Sequence, residues 1–316
     1  MDTTVAERSP GTRLPPTATV LGIGGGPLGG LFRHVPEEDA LATVERAWER
    51  GVRLFDVAPL YGHGRSERLV GAALQAKPRS AFVVSTKVGR LLRSTAPRPT
   101  DFVDADELGP VFDFSADGVR RSLEESLERL GLDSVDIVLI HDPEEHLEQA
   151  VREAQPALAR LRDEGTVTAI GVGTNYPSTL TRFARETDID CALLAGRTTL
   201  LDRSGSREAL PICAERGVAV IAGGVFNSGI LADFSERGTY DYAPADEGTR
   251  TRVAGLRALC ERHGVSLTAA ALQFPLRQPG VTAAVVGVRT PDEVDADIAA
   301  FDASIPDAFW SELGDG

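Results

Sequence analysis

Four residues with acid–base side chains lie at, or just beyond, the ends of apolar runs in this sequence. Asp56, Lys87 and His141 each close such a run, and Tyr61 lies in the loop that follows Asp56. When parallel strands form a barrel, their carboxyl ends converge, so side chains that are distant in the sequence meet there. We therefore expect these four residues to form one cluster.

The chemistry of this cluster centres on Tyr61. A free tyrosine has a pKa of about 10 and exchanges protons poorly near neutrality. An adjacent ammonium group stabilises the phenolate, and Lys87, one of two lysines in the chain, can supply that charge. Asp56 can hold the ammonium and offset the cost of burying it, and His141 can hydrogen-bond the substrate oxygen or tune the tyrosine. The set predicts a tyrosine general acid/base whose pKa is lowered by Lys87.

Eight short apolar runs alternate with helical patterns along the chain. Each is rich in Val, Ile or Leu without polar alternation, as expected for parallel strands that are buried on both faces. The runs are 20–24, 53–57, 82–86, 135–140, 167–172, 191–194, 218–222 and 283–286. Eight strands, each followed by a helix, predict an α/β protein with a closed (β/α)8 TIM barrel. An open doubly wound sheet is the alternative, because strand order cannot be read from sequence.

The barrel is expected to occupy residues 18–316 as a single domain, after a disordered leader at residues 1–17. Ser115 and Thr290 are placed to cap helices. The connections 89–114 and 223–248 are long for an α/β unit, and both follow predicted strands. Long loops at such places usually bind ligands, so we expect these two to shape the substrate pocket.

A glycine-rich segment follows the first predicted strand. Residues 24–29 match the G-x-G-x-x-G pattern of a Rossmann phosphate loop, but that motif opens directly into a helix that holds the pyrophosphate. Here Pro27, Gly30 and Pro36 intervene before the helix. We predict instead that the glycines let the backbone approach a bulky group at the mouth of the first strand.

Composition excludes several classes of function. The formal net charge of −14 repels nucleic acid and anionic membranes. The sequence has no apolar run of roughly 18 residues and no signal-peptide core at its start, so we expect a cytoplasmic protein. Cys191, Cys213 and Cys260 fit neither a disulfide framework nor a zinc motif and are expected to be buried. No metal is expected, because no His-Glu-x-x-His pattern occurs. The expected partner is a small-molecule substrate, and the expected state is a monomer or small homo-oligomer.

With these residues in view, residues 19–302 resemble the aldo-keto reductase superfamily. The matching motifs are 55–62 (FDVAPLYG), 85–89 (STKVG), 140–143 (IHDP), 169–173 (AIGVG) and 286–289 (VGVR). The resemblance implies a barrel that binds NAD or NADP without a Rossmann domain. It also implies that Tyr61 is the acid/base and that Asp56, Lys87 and His141 assist it.

Further motifs resemble the branch that contains L-fucose (D-threo-aldose) 1-dehydrogenase, L-galactose dehydrogenase and pyridoxal 4-dehydrogenase. They are 24–29 (GGGPLG), 61–67 (YGHGRSE), 87–92 (KVGRLL) and 222–229 (AGGVFNSG). This resemblance implies that Tyr61 takes the proton of an anomeric hydroxyl while hydride passes from C1 to the nicotinamide, which gives a lactone. The reverse direction reduces an aldehyde.

The resemblance also implies a set of cofactor-binding residues. They are Gly25, Asn175, Gly223, Gly224, Val225, Asn227, Gly229, Gly287, Arg289 and Asp297. Ala195 and Thr198 depart from the superfamily, because a Gln and an aromatic residue that stacks on the nicotinamide are usual there. Asp297 stands where Asn is common beside the adenine. With Arg289 as the one obvious basic residue nearby, this carboxylate favours NAD over NADP.

Three functions remain open at this point. The first is an NAD(P)-dependent dehydrogenase of a sugar or sugar-like alcohol, which the motifs favour. The second is a general NADPH-dependent aldehyde or ketone reductase. The third is an NAD(P)-binding regulatory barrel with little turnover, for which the departures at Ala195 and Thr198 leave room.

Overall fold

A computed structural model describes residues 13–94, 100–232 and 238–314 of the chain. Eight parallel strands close into a barrel, in which each strand pairs with its neighbours in chain order and the last pairs with the first. The strands are β1 (Leu21–Gly24), β2 (Leu54–Asp56), β3 (Val83–Val88), β4 (Ile137–His141), β5 (Ala169–Thr174), β6 (Cys191–Ala195), β7 (Ala219–Gly223) and β8 (Val281–Gly287). The predicted TIM barrel is confirmed, and the open doubly wound sheet is excluded.

Helices on the outside of the barrel follow the strands. They are α1 (Glu37–Glu49), α2 (Arg65–Leu74), α3 (Ala116–Leu130), α4 (Leu147–Gln149), α5 (Gln155–Asp163), α6 (Pro177–Glu186), α7 (Ser204–Glu208), α8 (Leu210–Arg216), α9 (Glu247–His263), α10 (Leu267–Gln273), α11 (Pro291–Asp302) and α12 (Asp307–Leu313). A π-helical turn, Ala150–Ala154, joins α4 to α5. Two predicted caps are present, because Ser115 accepts from the amide of Gly118 and Thr290 from that of Glu293.

The strands are buried on both faces, which explains their uninterrupted apolar runs. The outward side chains pack under the helices in the largest hydrophobic cluster. The inward side chains fill the barrel in a second cluster that includes Leu54, Ile137 and Ile221. All three cysteines are buried and free, as the sequence predicted.

Residues 13–17 differ from the expectation of a disordered leader up to residue 17. Leu14 is buried and packs with Ala18 against the inward-facing residues of the barrel. Arg13 reaches the carbonyl of Ile189 at 3.3 Å. The packed part of the chain therefore begins before residue 18, because one apolar side chain covers the barrel interior. Residues 1–12 lie outside the described part of the chain.

The two long connections contain structure that the sequence did not reveal. The first holds an antiparallel hairpin, formed by Arg90–Arg93 and Gly109–Phe112. The second holds a shorter one, formed by Thr239–Tyr240 and Ala243–Pro244. Both connections leave the carboxyl ends of barrel strands, β3 and β7, and so lie at the end of the barrel where active sites form.

Candidate active site

Strand alternation places the polar cluster inside the barrel. Successive side chains on a strand point to opposite faces, so residues two apart share a face. Leu54 and Leu139 belong to the interior cluster, and Asp56 and His141 follow them by two positions on β2 and β4. Lys87 occupies the corresponding place near the end of β3. The three side chains therefore project inward at the carboxyl end of the barrel.

Lys87 forms the centre of the observed cluster. Its Nζ lies 2.7 Å from Oδ2 of Asp56 and donates to the carbonyl oxygen of Val57 at 2.9 Å. The same Nζ lies 4.7 Å from the ring centroid of Tyr61. Lys87 and Asp56 are both buried, and each charge compensates the other where water does not. The predicted ion pair is thus present.

Tyr61 lies between Lys87 and the aromatic side chains of the mouth. Its ring meets that of His141 edge-on, at a centroid distance of 5.8 Å and an interplanar angle of 87°. Phe102, from the first long connection, lies on another side at 6.1 Å. The four residues expected to meet are therefore brought together around one phenol.

Burial raises the pKa of Tyr61 above its ordinary value, and the charge of Lys87 only partly opposes this. The expectation that Lys87 leaves the tyrosine with a lowered pKa is therefore wrong for this structure, because burial disfavours the phenolate more strongly than the ammonium favours it. For Lys87, burial alone would lower the pKa, but the partners Asp56 and Tyr61 outweigh it and raise the pKa. Lys87 thus remains a cation, and the resting phenol keeps its proton.

His141 is neutral at physiological pH. Burial, and then the positive charges of Arg90 and Lys87, hold its pKa well below the ordinary value. A neutral imidazole carries one donor and one acceptor nitrogen. His141 can therefore hydrogen-bond a substrate oxygen without adding a charge to the site.

The loop that carries Tyr61 is held by backbone packing and by one arginine. A Cβ on Gly29 would lie 2.7 Å from the carbonyl carbon of Tyr61, so only glycine permits this close approach. Arg65 donates to the carbonyl oxygens of Leu28 and Val35, each at 2.6 Å. The glycine-rich segment after β1 therefore supports the Tyr61 loop. It forms a short 3-10 turn, Pro27–Gly29, and does not open directly into a helix.

An ion pair that the sequence did not assign lies beside His141. Arg90 donates to Oδ2 of Asp142 at 2.9 Å, and that oxygen is 3.4 Å from Nε2 of His141. Two rings, those of Phe32 and Tyr242, meet across the mouth at 6.0 Å. Arg90 and Asp142 both lie inside motifs shared with the family, but neither the strand pattern nor the spacing of these residues indicates that they meet.

Five of the residues implied for cofactor binding lie at or after the end of β7, on the other side of the mouth. Gly223 ends β7, and Gly224 and Gly229 after it have left-handed φ values of 58° and 105°. Val225 is buried. Asn227, also left-handed, donates to the carbonyl oxygen of Gly196 at 3.2 Å, while its buried Oδ1 has no partner among the described residues.

Two of the implied glycines have packing roles in the structure. Gly25 lies against Ser66, and its carbonyl accepts from the Ser66 hydroxyl at 2.8 Å. Gly287 ends β8 so close to Pro27 that a Cβ on Gly287 would lie 2.7 Å from the proline ring. Both backbones lie near the end of β1, and their contact with a cofactor remains a prediction.

The segment after β6 differs most from the superfamily pattern. Thr198 is buried and packs against Gly205 of α7, so it does not take the place of an aromatic stack. Arg197 occupies the mouth instead. It donates to the backbone carbonyl of Asn175 at 2.9 Å and to Asp241 at 2.9 Å. Arg197 therefore ties the second long connection to the end of β5, a role that the sequence reading missed.

Arg289 and Asp297 lie at and after the turn that begins α11. The guanidinium of Arg289 is 3.6 Å from Glu293, and its buried Nε has no partner in the described parts of the chain. Burial, and then the charge of Glu293, raises the pKa of Asp297 to about 7. Left-handed glycine backbone and unpartnered buried polar atoms, including Nε of Arg289, together fit a polar ligand with donors and acceptors, as a dinucleotide has.

No helix in residues 13–94, 100–232 or 238–314 is long and apolar enough to cross a membrane. Within the same ranges, no group of three or more His, Cys, Asp and Glu side chains is arranged to hold a metal ion.

Comparison with known proteins agrees with the motifs and the barrel. The aldo/keto reductase family matches residues 20–315. The chain is 44% identical over 307 residues to a D-threo-aldose 1-dehydrogenase of a Pseudomonas species, covering 93% of each chain. It is 40% identical over 322 residues to the pyridoxal 4-dehydrogenase of Microbacterium luteolum, covering 94% of this chain and 93% of the other. A glycerol dehydrogenase from Gluconobacter oxydans superimposes with a TM-score of 0.79 at 25% identity, over 98% of this chain and 94% of that one.

Proposed function

This chain belongs to the aldo/keto reductase family and is an NAD(P)-dependent oxidoreductase, and from that premise we propose that it oxidises the anomeric hydroxyl of an aldose to a lactone. The observation that carries the proposal is the phenol of Tyr61, which lies between Lys87 and His141 at the barrel mouth. The name of the similar D-threo-aldose 1-dehydrogenase supports a sugar as the substrate.

In the oxidative direction, Tyr61 acts as the base. The C1 hydroxyl gives its proton to the phenolate oxygen, the C1–O bond becomes a carbonyl, and the C1 hydrogen leaves with its electron pair. The bound nicotinamide supplies the acceptor for that hydride. In the reductive direction, the neutral phenol donates the proton to the carbonyl oxygen.

The other three residues make this proton transfer possible. Lys87 stabilises the phenolate, and Asp56 keeps Lys87 charged at a depth where an unpaired ammonium is costly. The neutral His141 holds the substrate oxygen by a hydrogen bond and leaves the net charge of the site unchanged. The 2.7 Å ion pair and the edge-on contact of the two rings support this division of roles.

We assign the opposite side of the mouth to the dinucleotide. Gly224 and Gly229 would let the dinucleotide approach the backbone closely, and Asn227 would contribute Oδ1, which has no partner among the described residues. Glu293 already engages the guanidinium of Arg289, which makes that cation less available to a 2′-phosphate. The carboxyl group of Asp297 also disfavours a 2′-phosphate, so we expect NAD to be preferred to NADP.

The experiment is a substrate panel with both cofactors in both directions. The purified full chain is assayed with NAD and NADP on a series of aldoses and on glycerol, and with NADH and NADPH on pyridoxal and simple aldehydes. We expect NAD-dependent oxidation of an aldose, with the lactone identified by mass spectrometry. Turnover confined to simple aldehydes with NADPH would instead establish the general reductase, and the aldose proposal would be wrong.

A further inference from the structure

Asp142 holds a fixed and strained position next to the catalytic histidine. It follows His141 directly, and its φ of +41° lies in the left-handed region that non-glycine residues seldom adopt. Its amide donates to the carbonyl oxygen of Gly173 at 2.9 Å, which anchors the backbone to β5. Strained backbone of this kind persists where surrounding contacts enforce it and is concentrated at functional sites.

Arg90 fixes the carboxylate of Asp142. Its guanidinium donates to Oδ2 at 2.9 Å and lies over the ring of Phe112, 5.0 Å from the centroid. The side chain of Arg90 is 15% exposed and that of Asp142 is 30% exposed. The guanidinium of Arg90 thus contacts both the ring of Phe112 and the carboxylate of Asp142, while that carboxylate remains partly exposed at the mouth. Oδ1 of Asp142 accepts no hydrogen bond from the residues that the structure describes.

The carboxylate of Asp142 lies close to the residue that is proposed to hold the reacting oxygen. Oδ2 of Asp142 is 3.4 Å from Nε2 of His141, which is the residue proposed to hold the substrate oxygen. In a sugar, oxygens on adjacent carbons are separated by roughly the length of a hydrogen bond. A substrate whose C1 oxygen rests between Tyr61 and His141 can therefore place its C2 hydroxyl within hydrogen-bond reach of the Asp142 carboxylate.

We propose that Asp142, held by Arg90, accepts a hydrogen bond from the hydroxyl on the carbon next to the reacting one and so selects α-hydroxy carbonyl compounds and their cyclic sugars. This inference rests on the proposed function, because it assigns a second contact at the same site. It gives Asp142 the role of a specificity-determining residue and Arg90 that of a positioning residue. The ring of Phe102 lies beside that of Tyr61, at a centroid distance of 6.1 Å, and suits the apolar face of a sugar ring.

The test compares kcat/KM of the wild type and of one variant on two pairs of substrates. Asp142→Asn preserves the shape of the side chain and is compatible with the left-handed backbone, which Asn tolerates. The substrate pairs are an aldose with its 2-deoxy counterpart for oxidation, and lactaldehyde with propanal for reduction. The amide is neutral, so the charge-assisted hydrogen bond to the hydroxyl is lost and at most a neutral one replaces it. We therefore expect kcat/KM for the hydroxylated member of each pair to fall by about tenfold. The member without the hydroxyl should change by less than about threefold.

The ratio of kcat/KM values within a pair does not depend on the amount of folded protein, so a loss of stability in the variant leaves the result readable. Glu125→Gln is the matched control, since Glu125 pairs with Arg93 on the same hairpin strand at 2.8 Å. This control should leave both ratios unchanged. An equal loss for both members of each pair would show that Asp142 acts only through His141, and it would overturn the proposal.

Failure of the proposed function gives a different result. If neither sugar is oxidised but both aldehydes are reduced, the aldose assignment is wrong, while lactaldehyde and propanal still report on Asp142. Discrimination between those two aldehydes that disappears in Asp142→Asn would support the inference. The absence of any discrimination in the wild-type enzyme would contradict it.

Discussion

The two halves of the barrel mouth are built in different ways. Three of the four residues proposed for acid/base chemistry, Asp56, Lys87 and His141, project from the buried strands β2, β3 and β4. Tyr61 lies in the loop after β2, and Lys87 has Asp56 and Val57 as partners. Beyond β5 to β8, the residues assigned to the cofactor lie mostly in turns. Gly224 and Asn227 there have left-handed backbone, and the shape of the site depends on the path of the loops.

This contrast separates the chemistry from the cofactor contacts. The strand half is organised by the same alternation that builds the barrel core, so its geometry is set when the barrel closes. The loop half is organised by glycine conformation and by side chains such as Arg197 that tie one loop to another. Substitutions in the strand half should alter turnover with cofactor affinity intact. Substitutions in the loop half should do the opposite.

The largest effect is expected for Tyr61→Phe. The ring contacts with His141 and Phe102 remain, but the proton-transfer group is lost, so kcat should fall about a thousandfold. Cofactor affinity, measured by quenching of protein fluorescence, should be unchanged. Tyr176→Phe, at an exposed tyrosine, is the control and should keep full turnover. A Tyr61→Phe enzyme that kept its rate but lost its cofactor would reverse the assignment of the two halves.

A large effect on both turnover and stability is expected for Lys87→Met. It leaves Asp56 buried without its partner, which should lower the free energy of unfolding by about 3–5 kcal/mol, and kcat should fall about a hundredfold. Chemical denaturation and steady-state kinetics measure the two effects. The control is Lys77→Met, because Lys77 pairs with a half-exposed Glu45 and should contribute no more than about 1 kcal/mol. Equal losses of stability in the two variants would contradict the assigned role of the buried pair.

Gly224→Ala should weaken the cofactor half without touching the chemistry. The added Cβ would lie 3.0 Å from the amide nitrogen of Gly196 on a left-handed backbone, so Kd for the cofactor should rise about tenfold. Gly264→Ala carries the same left-handed strain at the end of α9, with nothing within 4 Å of the Cβ. It should cost stability and leave Kd unchanged. Isothermal titration calorimetry measures Kd for the cofactor in both variants. Equal Kd values would contradict the assignment of Gly224 to the cofactor side.

A pH-dependent effect on stability is expected from Asp297→Asn. Asp297 has a pKa of about 7 in the folded chain, against about 3.9 for an unfolded one. The folded state therefore favours the protonated acid, and the stability this confers is full below pH 4 and lost as the pH rises through 7. The Asn variant should be more stable than the wild type by an amount that grows between these limits and then levels off.

Urea unfolding of both proteins across the pH range measures this difference. Asp292→Asn, at an exposed place on the same helix, is the control and should show no such trend. A difference for Asp297→Asn that stays constant from pH 4 to 8 would show that burial of this carboxyl group is not what the structure indicates.

The same contrast explains how much the sequence could predict. The eight strands were predicted because strands buried on both faces read as uninterrupted apolar runs. Asp56, Lys87 and His141 were predicted to meet because they close three of those runs, and Tyr61 because it lies in the loop after one of them. The partner of Arg90 could not be predicted, since the hairpin that carries it is formed by contacts between loops. Leu14 shows no periodicity that would reveal its packing against the barrel interior.

The direction in which the pKa of Tyr61 is shifted also could not be predicted from the sequence. The type and spacing of residues identify Lys87 as a nearby charge, but they do not give the depth at which the phenol is buried. In the structure that burial outweighs the charge. Arg197 was missed for a related reason, because its importance comes from where two loops meet and not from a motif.

The most direct test of the central claim, that Tyr61 transfers the proton, is the pH dependence of both reaction directions in the wild type and in Tyr61→Phe. Because burial raises the pKa of Tyr61, alcohol oxidation should increase with pH into the alkaline range, and carbonyl reduction should decrease over that same range. The residual rate of Tyr61→Phe should show neither trend. Wild-type profiles that change in the same direction, or a Tyr61→Phe enzyme that keeps both wild-type profiles, would contradict the assignment.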